Sequence, residues 1–176
     1  MTEQISKKSQ EQRPEPWLRG TLAEVPGVPR AVLHALQQAS EDLQKWCRHL
    51  TDEQLNARPA GLAPVAFHLQ HIAGSVDRLL SYAENRPLSE QQLSFLKNEL
   101  ESEITASEAF RLLEQAFALA VSRIRSLTAQ NLEEPRIVGK KQLPTTLGGL
   151  LVHVADHTQR HVGQAIVTAR IVAAMD

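Results

Sequence analysis

Four stretches of this chain repeat an apolar residue at alternating steps of three and four, and that period limits its fold more than any other feature. The first runs Val32, Leu36, Ala39, Leu43, Trp46 and Leu50, and the second Val65, Leu69, Ile72, Val76, Leu79 and Ala83. The third is Phe110, Leu113, Phe117, Ala120, Ile124 and Leu127. The last runs Leu147, Leu151, Val154, Thr158, Ala165, Ala169 and Val172. Such steps keep side chains on one face of a helix with 3.6 residues per turn, so each stretch reads as an amphipathic helix of about 20 residues.

The breaks between the stripes agree. "ARPAGLAP" separates the first helix from the second, "NRP" at 85–87 stops the second, and "LSEQQLSFLKNEL" reads as a shorter helical connector. "EEPRIVGKKQLP" at 133–144 cannot be helix throughout, because Pro135, Gly139 and Pro144 interrupt it. Thr145 or Thr146 stands where it can cap the last helix. No stretch reads as a strand and no repeat is visible. The expectation is an all-α four-helix bundle over residues 29–176, behind a polar, Pro-containing tail over 1–28 that lies along the surface without regular structure. A chain of 176 residues suits one such domain.

Charge narrows the partners. With 19 basic and 20 acidic residues and a net charge of −1, nothing draws the chain electrostatically to nucleic acid or an anionic membrane. No apolar run approaches the ~18 residues of a membrane span, and the first residues lack the apolar core of a signal peptide. Cys47, the one cysteine, rules out an intrachain disulfide and a cysteine-built zinc site, and fits a reducing compartment. These features lead us to expect a cytoplasmic protein with Cys47 in the core beside Trp46.

Five of the seven histidines fall in two groups: His68 and His71 on the second helix, and His153, His157 and His161 on the last. A four-residue step turns about 400° and rises about 6 Å, so neighbouring imidazoles can share one ion, whereas an eight-residue step rises about 12 Å and cannot. On the helical wheel His161 lies within the arc of Leu147, Val154 and Ala165, and His157 lies on its edge. His153 points further round, toward Asp156 and Arg160, so the inward pair is His157 and His161. Two ligands bind weakly, and the second helix can add His71 or His68, of which phase puts His68 nearer the interior. Neutral imidazole suits zinc, nickel, copper or iron. Against this stands the ordinary role of helical histidines as surface or hydrogen-bonded core residues. The pattern also lacks the glutamate of H-E-x-x-H and carries no sign of that protease chemistry.

Three segments then add a resemblance. "LTDEQLNARPAG", "PVAFHLQHIAGSVDRLLSYA" and "LGGLLVHVADHTQRHVGQAI" resemble the DinB-like (YfiT-like) metal-binding four-helix-bundle superfamily, from about residue 30 to the end. The most specific parts are "HIA" on the second helix and "H-x-x-x-H-x-G-Q" on the last. The resemblance implies a divalent metal, zinc or nickel ahead of iron or manganese, held by His71, His157 and His161, with His68 lining the pocket or supporting a ligand. Three histidines leave a position open, as in catalytic zinc sites. The implied activity is that of a metal-dependent enzyme acting on a small molecule, with metal-bound water or thiol as nucleophile. Transfer or isomerisation with a low-molecular-weight thiol such as bacillithiol or mycothiol stands slightly ahead of hydrolysis, and family habit implies a homodimer. The alternatives are a non-catalytic, metal-stabilised bundle with a stress or interaction role, and a small-molecule binding module using the same pocket.

Other residues enter with two readings each. The family's acidic residue after the second-helix histidine would be Asp77, which helical phase puts out of line. Gln164, Tyr82 and Ser75 are pocket candidates or ordinary helix-surface residues. Arg136, Lys140 and Lys141 would either draw an anionic substrate to the loop before the last helix or simply solvate it.

Overall fold

Proline and short polar side chains decide where the helices begin. The structure, a computed structural model, describes residues 13–175. Helix α1 (Gly27–Cys47) starts after Pro26, and α3 (Val65–Ala83) after Pro64. Thr51 with Gln54, and Ser89 with Gln92, form capping boxes that open the short helices α2 (Asp52–Asn56) and α4 (Glu90–Asn98). Thr105 and Thr146 accept backbone N–H groups at the starts of α5 (Ala106–Ser126) and α6 (Leu147–Val172). Asn85, at φ +58°, turns the chain out of α3, a left-handed conformation that asparagine tolerates better than most residues.

The four long helices bury the stripes that the period marks. α6 packs against both α1 and α3, and α5 packs mainly on α3 and more sparingly on α1. Leu36, Leu43, Leu69, Ile72, Phe110, Leu113, Ile124 and Leu151 are fully buried between them, each stabilising the fold by roughly 1.5–3 kcal/mol. Cys47 lies in this core, as expected. Among the described residues no helix is long and apolar enough to cross a membrane.

The bundle carries one feature that the expectation of no strand missed. Residues 135–146 form an antiparallel hairpin, β1 (Pro135–Val138) paired with β2 (Leu143–Thr146), with Gly139 at φ +70° and Gln142 at φ +50° in the turn. Two strands have an outer edge each, where a proline without an N–H is tolerated. The hairpin fastens onto the ends of α3 and α6. Arg136 is buried and donates to the Ala83 carbonyl at 2.7 Å and to Gln130 Oε1 at 3.0 Å, so it is structural and does not await an anion. Leu132 and Glu134 carbonyls accept the otherwise orphaned N–H groups of Gly148 and Leu147 at the head of α6. Lys140 and Lys141 remain exposed in the turn.

The segment before α1 is also more structured than its composition suggests. Pro16–Leu18 form a single 3-10 turn, Pro16 and Val25 are buried, and Arg19 grips Glu41 of α1 with two hydrogen bonds of 2.6 Å. Residues 1–12 of the expected tail lie outside the described residues.

Candidate metal centre

Because α3 and α6 face one another, their histidine stripes meet. His71 Nε2 lies 2.9 Å from His157 Nε2, and the His161 ring centroid is 4.3 Å from that of His71 and 4.7 Å from that of His157. One ligating nitrogen from each of the three falls within 4.8 Å of the others. The edge of a tetrahedron built on metal–nitrogen bonds of 2.0–2.1 Å is about 3.3 Å, so small side-chain adjustments would let all three nitrogens meet one ion. His153 stays outside: its side chain is 47% exposed and its nearest charged neighbour is Asp156 at 3.7 Å.

The partners of the other ring nitrogens set which atom faces the centre. Glu99, just past the end of α4 and 4% exposed, accepts a hydrogen bond from His71 Nδ1 at 2.5 Å. With Nδ1 protonated, His71 presents a bare Nε2, which is the ligand form. His161 Nδ1 lies 3.1 Å from His68 Nδ1, and if it donates there its own Nε2 is likewise free. His68 thus stands against His161, outside the group of three. Phe67 covers this side of the group, stacked on His71 at 5.1 Å and edge-on to His68 and His161.

Electrostatics favour the neutral, ligating forms. Burial, and after it the charge of neighbouring imidazoles, pushes His68 and His157 down to about 4. His161 also falls to about 4, through burial first, then His71 and Arg160, with Glu99 opposing. Cys47 is the opposite case: burial pushes its thiol up to about 12, which leaves it inert.

A cavity of about 240 Å³ opens beside His71 and His157, with His153 at its wall. Ser75 and Tyr82 line it too, about one and about three turns beyond His71 on the same face of α3, as the sequence allowed. Larger grooves of about 390, 470 and 370 Å³ have no histidine in their walls, so chemistry rather than size picks out this site. Gln164 is exposed on α6. Asp77 is turned away, bonded to Arg123 at 2.6 Å and to Gln92 at 2.7 Å.

Three residues of the site escaped sequence reasoning: Glu99, Phe67 and Arg78. Arg78 donates to the second oxygen of Glu99 at 3.3 Å and borders the cavity. Its spacing of seven from His71 was a usable signal, because seven residues complete almost two helical turns. Nothing in the sequence links Glu99 to His71.

Comparison with known proteins follows the same lines. A family profile described as the DinB superfamily matches residues 35–165. YfiT from Bacillus subtilis, described as a probable metal-dependent hydrolase with an unusual four-helix bundle topology, has 20% identity and a TM-score of 0.62, covering 82% of this chain and 87% of its own. A conserved protein from Enterococcus faecalis has 24% identity and a TM-score of 0.60, covering 85% of this chain and 99% of its own. At such identities the likeness is one of fold. No curated protein matches the chain.

Proposed function

The chain belongs to the DinB superfamily, and on that footing we propose that it is a hydrolase that depends on a divalent metal held by His71, His157 and His161. The observation that carries the reading is the convergence of these imidazoles from two facing helices, with a buried carboxylate holding His71 in its ligand form. The description of YfiT as a probable metal-dependent hydrolase supports the same choice. An all-imidazole set suits several divalent ions, and zinc or nickel is the pair to try first.

A metal there would supply Lewis acidity toward an oxygen of substrate or water. The protein's own groups do the rest. Glu99 keeps the proton on His71 Nδ1, and His68 orients His161 from behind. Phe67 shields the rings from water on its side, while the cavity at His71 and His157 gives a small molecule its approach.

The test begins with elemental analysis of the purified protein beside His157→Ala. A single divalent ion per chain, lost in a folded variant, is the expected result. Cobalt-substituted protein should then change its visible spectrum when azide or a small thiol is added, and metal-dependent ester hydrolysis should vanish with a chelator. A spectrum deaf to both additives would favour the non-catalytic, metal-stabilised bundle. Thiol consumption with an electrophile, without ester hydrolysis, would favour S-transfer with a low-molecular-weight thiol. No ion after reconstitution would overturn the metal reading.

A further inference from the structure

Arg78 is a buried guanidinium with most of its hydrogen-bonding capacity unused. It is 7% exposed, yet among the described residues its hydrogen-bond partner is Glu99 alone, through Nη1. A guanidinium carries five N–H donors in a rigid fork that matches a planar carboxylate. Glu99 meets that fork through Oε2 alone, its Oε1 lying against His71 Nδ1. The Nε and Nη2 groups have no protein acceptor among the described residues, and neither is sealed from solvent.

Arg78 borders two cavities, and their walls differ in what they leave for an anion. Gly74 makes room for its Nη1 end on the side of α4: a Cβ there would stand 2.6 Å from Arg78 Nη1 and 2.7 Å from the Phe95 ring. A glycine inside a helix is otherwise a cost. The cavity beside the histidines has Arg78 as its one permanently charged wall residue, with Leu79, Leu88 and Leu96 supplying apolar surface. Arg78 also borders the groove between α4 and α5, but there Asp77, Arg86 and Arg123 bring both signs and are already engaged with one another or with Glu84.

We propose that this cavity takes a small organic acid, its carboxylate on Arg78 and its short apolar body against Leu79, Leu88 and Leu96. The volume of about 240 Å³ is below the ~300–1,000 Å³ of pockets for drug-sized ligands, so the body is short. The role of this acid as a substrate rests on the hydrolase reading above; the carboxylate subsite itself needs no metal.

Chelator-treated, metal-free protein is therefore the sample to use, titrated with hexanoate and with its neutral counterpart hexanamide. Binding is followed by calorimetry and by the NMR shifts of the arginine Nε–H groups. Hexanoate should bind about tenfold more tightly than hexanamide, shift one arginine signal, and lose its advantage in Arg78→Gln while Arg78→Lys keeps part of it. Equal binding of acid and amide, binding of neither, or an undiminished preference in Arg78→Gln would each overturn the proposal. The comparison of acid with amide is made in the wild-type protein, so it stands whether or not a variant folds. Failure of the metal reading shows separately, as protein that prefers the acid but takes up no ion.

Discussion

His71 illustrates how little of a metal ligand's behaviour lies in the ligand itself. Its ring is shared between two tasks, with Nδ1 on Glu99 and Nε2 toward His157. Carboxylates in this position typically account for 10–100-fold in metal affinity. Glu99→Gln should therefore weaken metal binding by roughly that factor in a chelator competition, with the ligand count in the cobalt spectrum unchanged. The histidines themselves should divide sharply. His153→Ala should keep the full metal content on elemental analysis, because that side chain is exposed and outside the cluster, whereas His71→Ala and His161→Ala should lose it. The i, i+4 pair and the exclusion of His153 were legible in the sequence, since both follow from angles along one helix. Glu99 was not, because 28 residues separate it from His71 and only the docking of α4 joins them.

At the scale of the helix, α4 matters out of proportion to its length. It lies on α3 where Gly74 leaves room for Arg78 and Phe95, and it delivers Glu99 at its end. Gly74→Ala should overpack this contact at a cost of about 1–3 kcal/mol. It should also lower metal affinity although Gly74 is no ligand, because Glu99 would be displaced; thermal unfolding and chelator competition on the same sample would check both. The head of α6 carries a simpler dependence. Thr146→Ala removes the cap that holds the Gly149 N–H and should cost about 0.5–2 kcal/mol in denaturant unfolding. That cap was readable as one of two threonines. The hairpin that precedes it was not, because β1 and β2 are four residues each, carry prolines, and are held by contacts to α3 and α6.

For the whole molecule, the buried histidines couple folding to pH. His68, His157 and His161 sit at about 4 in the folded protein against a usual 6.5, so the unfolded chain binds protons first as pH falls. The histidines' share of the stability of the metal-free protein should hold above about 6.5, fall between there and about 4, and level off below. There carboxylates such as Glu41, held low by Arg19, begin to protonate in their turn. Thermal unfolding across that range measures it, and substituting the three histidines should flatten the slope. A bound divalent ion should raise the unfolding temperature at pH 7.5, since free metal at 100 times its Kd adds about 2.7 kcal/mol. That gain should shrink as the histidines protonate.

The four long helices, their inward faces and the stripe of histidines on α6 were all legible in the residues alone, because each depends on a local period within a single helix. The choice between His68 and His71 shows where that information ends. The wheel put His68 nearer the interior, and it is the more buried, enclosed where His71 is half-buried. At that depth His68 meets His161, while His71, less buried, reaches the gap facing His157. Which nitrogens meet, which carboxylate holds His71 and which arginine borders the cavity depend on how α3, α4 and α6 pack. Each of these joins residues from helices whose relative positions no local period records, so packing had to settle them.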